Sequence, residues 1–242
     1  MQPPSQKSRR SSQSDCSLVI MAKAPKPGMV KTRLAQDVPL EAVIQLYRCL
    51  LDDTIALAQS LPNVETAIMC PASDVDDLAR FTENAVRVVG QNGQGLAAGL
   101  TSVFAYFADE GRRVVAFNSD SPHLPASALK SAFETLTRCD VVVGPTHDGG
   151  YYLVGAKASH PRLFDGDGMG TSSALELLLE RVRTLGLSVH LADPCYDVDV
   201  ISDLIRLQAE LQFSPPKAPR TAAWLAQWRP LVGQLNPGAG NL

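Results

Sequence analysis

No apolar run among the 242 residues approaches the roughly 18 needed for a helical membrane span, so a bilayer-spanning chain is not expected. Charge of one sign is lacking too: 22 Lys and Arg face 25 Asp and Glu, a net −3. That balance offers no basic stripe for a polyanion, which removes nucleic acid as a partner. Cysteine is sparse and unpaired in pattern. Cys16, Cys49, Cys70, Cys139 and Cys195 are odd in number, and none has the short spacing of a zinc or redox site. Reduced thiols in a cytoplasmic protein are the expectation. Neither a Gly-x-x-x-x-Gly-Lys-Ser/Thr loop nor a Gly-x-Gly-x-x-Gly turn occurs, so the two commonest phosphate-binding fingerprints are missing. What remains is 45% apolar and 19% charged, enough for a substantial globular core.

The organisation reads from the composition. Residues 1–16 are rich in Ser and Gln with Lys7, Arg9 and Arg10, lack the apolar core of a secretory signal, and are expected to be a disordered extension. Residues 17–212 alternate short apolar runs with amphipathic stretches. Strands alternating with helices argue for an α/β fold, three layers with a mostly parallel mixed sheet. Residues 213–242 form a tail with Pro215, Pro216 and Pro219 and a short helix carrying Trp224 and Trp228, expected to pack on the surface or on a partner.

The central stretch is Val114-Val115-Ala116-Phe117-Asn118-Ser119-Asp120-Ser121-Pro122. Its apolar run suits a strand buried on both faces, and Pro122 stops it. Ligands of open α/β sheets collect where such strands end. Asp120 stands there, either as a ligand for a hard divalent cation or as the cap of the next helix. The first strand, from Ser17, runs into Lys23-Ala24-Pro25-Lys26-Pro27-Gly28-Met29-Val30-Lys31-Thr32-Arg33-Leu34. Lys23, Lys26, Lys31 and Arg33 crowd into a loop stiffened by two prolines, an arrangement that favours phosphate over a merely solvated basic loop.

Further along, Pro39 to Leu61 has the period of a long amphipathic helix. Gly90-Gln91-Asn92-Gly93-Gln94-Gly95-Leu96 reads as a strand-to-helix turn whose glycines permit close approach of a planar ligand. Asp148-Gly149-Gly150 favours a tight reversal between two antiparallel strands, with His147 and Asp148 as minor site candidates. Thr171-Ser172-Ser173 opens a helix, by capping and with room for an anion. Asp197 and Asp199 share one extended face. Beside Asp120 they would make a carboxylate metal site, while Asp199 or Ser202 is equally suited to capping the following helix.

Four of these motifs occur together in one family. They are Ala22-Lys23-Ala24-Pro25-Lys26-Pro27-Gly28 with Lys31-Thr32-Arg33-Leu34, then Ser119-Asp120-Ser121-Pro122, Asp148-Gly149-Gly150-Tyr151-Tyr152-Leu153-Val154-Gly155, and Asp197-Val198-Asp199. From about Leu18 to Leu207 the chain resembles the glycosyltransferase-A-like nucleotidyltransferases. It is most similar to the bacterial DUF2064 group, also called the rSAM-selenodomain-associated transferase 1 group, which in turn resembles 2-phospho-lactate guanylyltransferase. The resemblance implies a nucleoside triphosphate or nucleotide-sugar at the strand ends, with Lys23, Gly28, Lys31, Arg33, Gly93, Gly95 and Leu96 around it. It implies Asp120 and Asp199 on Mg²⁺ or Mn²⁺, with Asp197 beside them. Asp148, Gly149, Gly150, Tyr151, Thr171 and Ser172 would face a small anionic acceptor. Lys31, Arg33 and Asp120 would carry catalysis. Many relatives have an acidic residue near Gly95 and a Trp near Met169; this chain has neither.

The reaction implied is transfer of a nucleoside monophosphate, from GTP or CTP by preference, to a phosphate or carboxylate acceptor with release of pyrophosphate. Two alternatives stay open at this point. One is glycosyl transfer from a nucleotide-sugar; the lone carboxylate of Ser119-Asp120-Ser121 leans away from it. The other is a non-catalytic nucleotide-binding subunit. A homodimer is compatible with all three.

Overall fold

The computed structural model describes residues 14–108, 112–166, 168–213 and 217–227. The expected N-terminal extension falls almost wholly outside them, as do Pro215, Pro216 and Trp228. Among these residues seven strands form one sheet in the order β3-β2-β1-β4-β6-β5-β7. They are β1 Cys16–Met21, β2 Glu65–Cys70, β3 Arg87–Gly90, β4 Arg113–Asn118, β5 Val141–Pro145, β6 Tyr151–Ala156 and β7 Val189–Leu191. All run parallel except β6, which lies antiparallel between β4 and β5. The mostly parallel mixed sheet expected from the sequence is therefore present, and the Asp-Gly-Gly reversal does join antiparallel neighbours.

Among the described residues there are seven α-helices: α1 Leu40–Gln59, α2 Val75–Phe81, α3 Gly95–Phe107, α4 Ala126–Thr135, α5 Ala174–Thr184, α6 Ile201–Phe213 and α7 Pro219–Gln227. Alternation along the central strands sorts the core. Leu18, Ile20, Val115 and Phe117 pack with α1, α2 and α4 on one face. Val19, Val114, Ala116 and Val154 pack with α3 and α5 on the other. Both strand faces are buried, which is why β1 and β4 read as unbroken apolar runs.

A third apolar cluster lies outside the layers. Leu46 and Leu50 of α1 meet Leu204 and Leu207 of α6 and Trp224 of α7. The tail is thus partly core. Its last helix is anchored by Asp53, a 1% exposed residue of α1. The Asp53 carboxylate accepts the Arg220 and Thr221 N–H groups at 3.2 and 2.8 Å and the Thr221 hydroxyl at 2.8 Å. A carboxylate there satisfies the free N–H groups of the first turn and complements the helix dipole.

Candidate active site

The parallel strands all end on one edge, and the connections leaving that edge build the site. The loop after β1 folds back into a cavity of about 640 Å³, lined among others by Lys23, Lys31, Arg33, Leu96, Asp120 and Asp199. At the centre lies Lys31. Its backbone is left-handed, with φ +49°, and its side chain is only 3% exposed. The Lys31 Nζ donates to Asp120 at 2.9 Å and lies 4.0 Å from Asp199. Arg33, 64% exposed, holds the other oxygen of Asp199 at 2.8 Å. Residues from the connections after β1 and β4 and from the segment before α6 therefore converge on one point.

Hydrogen bonds hold this arrangement from behind. The buried Tyr47 hydroxyl sits 3.2 Å from the Lys23 N–H and 3.1 Å from the Lys23 carbonyl, accepting from the first and donating to the second. The same oxygen lies 3.3 Å from the Ser119 hydroxyl, which reaches the Asp120 carboxylate at 3.3 Å. Burial first, then the charge of Asp120, pushes the Tyr47 phenol far above its ordinary range and keeps it a neutral donor. Asp120 is not a helix cap. Its carbonyl accepts the Val198 N–H at 3.0 Å, tying the end of β4 to the Asp197–Asp199 segment. Neither Asp199 nor Ser202 is seen to cap α6; Asp203, the third residue of the helix, turns its carboxylate back to accept the N–H groups of Asp199 and Val200 at 3.1 and 2.9 Å. Both carboxylates of interest are thereby spared from capping.

One cation of the basic loop is diverted. Lys26 pairs with Asp74 at 2.8 Å and Asp77 at 2.7 Å, and Asp74 also accepts the Ala24 N–H at 2.9 Å. Despite the cost of burial, these contacts keep the Asp74 carboxyl below its usual range. Gly28 takes φ +75° in the same loop but does not line the cavity. On the far wall Gln91 donates to the carbonyls of Gly93 and Gly95, both at 3.1 Å, fixing the turn into α3. Gly95 and Leu96 line the cavity; Gly93 sits behind them.

Asp148 accepts from the Thr146 hydroxyl at 2.5 Å and the Gly150 N–H at 3.2 Å, and the Thr146 bond above all holds its carboxyl below the usual range. Gly149, with φ +88°, lies against Ser172: a Cβ there would come within 1.9 Å of the Ser172 carbonyl oxygen. The two segments expected to face an acceptor thus touch each other. They flank the cavity rather than line it, and Asp148 feels the charge of Arg33. Tyr151 directs its hydroxyl to the Met169 sulfur at 3.9 Å. Thr171, Ser172 and Ser173 place no side chain as the cap of α5, which begins at Ala174.

Asp197 is mostly buried, and its carboxyl is pushed up to about 6, by burial first and then by the neighbouring charge of Asp120. Among the described residues no three Asp, Glu, His or Cys side chains converge as a metal-ligand group. Asp120 and Asp199 share a focus at the Lys31 ammonium. Sequence reasoning passed over Tyr47, Asp74, Gln91 and Asp53. Asp74 had a readable signal, since it follows the end of β2 as Asp120 follows that of β4. Tyr47 had none, because it works through the backbone of Lys23, distant in sequence, whereas Gln91 bonds the nearby carbonyls of its own turn.

Residues 54–171 match the family model described as "Uncharacterized protein conserved in bacteria (DUF2064)". A candidate nucleotide-diphospho-sugar transferase from Desulfovibrio desulfuricans G20 superposes with a TM-score of 0.84 at 29% identity, covering 91% of this chain and 98% of that one. The 4-diphosphocytidyl-2C-methyl-D-erythritol synthase of Anaerococcus prevotii DSM 20548 gives 0.55 at 12% identity over 81% and 96%. A CMP:2-keto-3-deoxy-manno-octonic acid synthetase complexed with CTP gives 0.55 at 10% over 81% and 98%. The comparison with curated proteins gave no match. No helix among the described residues is long and apolar enough to cross a membrane. The chain accordingly carries the DUF2064 match on the fold shared by nucleotide-diphospho-sugar transferases and nucleotidyltransferases, as its four motifs led us to expect.

Proposed function

We propose that the chain is a Mg²⁺-dependent nucleotidyltransferase that moves a nucleoside monophosphate onto a small anionic acceptor and releases pyrophosphate. The observation that carries the reading is the meeting of Lys31 and Arg33 with Asp120 and Asp199 at the mouth of one cavity. The donor set suits Mg²⁺, which is commonly held by one or two carboxylates and completed by substrate phosphates. Asp120 and Asp199 would hold it, with Asp197 beside them, and when bound it would polarise the phosphoryl oxygens. Lys31 and Arg33 would take the phosphates, and the Gly95–Leu96 end of α3 would face the base. An ionised acceptor oxygen then attacks the α-phosphorus and the bond to pyrophosphate breaks. Lys31 and Arg33 offset the charge that builds on the phosphoryl oxygens and the repulsion between two anions. An acceptor already ionised needs no general base.

A second reading has its own support. The solved structure with the higher TM-score is a candidate nucleotide-diphospho-sugar transferase, so glycosyl transfer from a sugar nucleotide uses the same cavity in the alternative. A thermal-shift panel of GTP, CTP, UTP, ATP, UDP-sugars and GDP-sugars, with and without Mg²⁺, separates the two. A triphosphate at about 100 times its dissociation constant adds roughly 2.7 kcal/mol, and a Mg²⁺-dependent rise with one triphosphate names the base. A rise with sugar nucleotides alone transfers the assignment to glycosyl transfer. Asp120→Ala and Asp199→Ala each remove the Mg²⁺-dependent part; unchanged affinity in both variants would defeat the site.

A further inference from the structure

The point on which Asp120 and Asp199 converge is filled by an atom of the chain. The Lys31 ammonium stands 2.9 Å from one carboxylate and 4.0 Å from the other. Its side chain is 3% exposed, and its backbone is held at φ +49°, a region side-chain-bearing residues rarely adopt. Local strain of this kind persists only where the surroundings over-determine it. The other charges around the point are Arg33 on the far oxygen of Asp199 and the Asp197 carboxyl, which feels both Asp120 and Lys31. We infer that Lys31 is a built-in counterion that keeps divalent metal out of the nucleotide-free site, so that metal enters only when a nucleotide's phosphates draw the ammonium away.

This rests on the reading of Asp120 and Asp199 as metal ligands. An ammonium seated on the carboxylate pair disfavours a divalent cation there, because it occupies the position and repels the incoming charge, weakly screened in a recessed site. A triphosphate changes the balance, since its oxygens offer the ammonium a denser charge than two carboxylates do. Nucleotide and metal then bind cooperatively, and linkage makes the effect mutual. Free metal finds no foothold without nucleotide, and nucleotide without metal leaves the carboxylates uncompensated when it takes the lysine.

The test is a titration of the full chain with Mn²⁺ alone, following the free-ion signal by electron paramagnetic resonance. The wild-type chain should bind Mn²⁺ weakly, and Lys31→Met should tighten it by about 5- to 150-fold, the span typical of coupled sites. Adding Asp120→Asn to Lys31→Met should abolish the gained affinity. Lys31→Gln, which keeps a polar head, serves if the Met variant fails to fold. Equal affinity in wild type and lysine variants overturns the exclusion while sparing the carboxylate site. Tight binding by wild type overturns it without any variant. No binding by any variant overturns the exclusion and the metal site together.

Discussion

Asp197 has the least comfortable carboxyl in the chain's site. Folded, it titrates near 6; unfolded, near the usual value of about 3.9. Between these limits the folded chain keeps a proton that the unfolded chain has lost, so metal-free stability falls as pH rises through that window and levels off above it. Asp197→Asn should therefore stabilise the metal-free protein at neutral pH, by at most about 3 kcal/mol, and change little near pH 4. Melting curves at both pH values check this, and a gain at the lower pH only would contradict it. Gly149 gives the opposite kind of test. Gly149→Ala forces a Cβ against the Ser172 carbonyl at a left-handed backbone. It should cost on the order of 2 kcal/mol or more, read in chemical unfolding. At this scale the sequence was legible where a charged residue follows the end of a buried strand, as at Lys31 and Asp120, which the structure brings together. It was silent where the partner is a distant backbone group, as at Tyr47 and Asp53.

Elements were more legible than residues, because burial imposes a period. The two-sided apolar runs of β1 and β4 and the amphipathic stretch of α1 were readable directly, with bounds shifted by one or two residues. Chain ends of elements were not, since they are set by single hydrogen bonds: at the start of α6 it is Asp203, inside the helix, that reaches back to the Asp199 and Val200 N–H groups, where Asp199 and Ser202 had looked able to cap. The docking of α7 was also hidden. Its anchor is an Asp on the far side of the chain, buried in an otherwise apolar helix face. Asp53→Ala leaves the first N–H groups of α7 unpaired and should cost about 1–3 kcal/mol. Hydrogen exchange should quicken across residues 217–227 while β1 stays slow; uniform loss across the chain would mean that α7 is integral to the cooperative unit.

Among the described residues, two recesses lie at opposite edges of the sheet. One is the cavity at the carboxyl ends of the strands. The other, about 550 Å³, lies at their amino ends between Asp15, Asn63, Arg113 and Phe133. A nucleotide with Mg²⁺ should slow exchange in residues 23–33, 91–96 and 119–120 and leave residues 61–64 and 113 unchanged. Protection at the amino edge would relocate the binding site. The placement follows from topology, for parallel strands joined by crossovers deliver their loops to one edge.

The reversed strand β6 adds a consequence of its own. Because it runs against its neighbours, the turn from Thr146 to Gly150 reaches the same edge without a crossover. The wall that carries Lys31, Asp120 and Leu96 is wound through long helical returns, so changing it means re-threading the core. The Thr146–Gly150 turn beside it is a hairpin tip resting on Ser172, separable from that winding. A lineage carrying this scaffold is thus free to diversify one side of its cleft by loop exchange alone, and grafting a relative's hairpin tip with its matching 168–173 segment should redirect the partner chosen while nucleotide affinity holds.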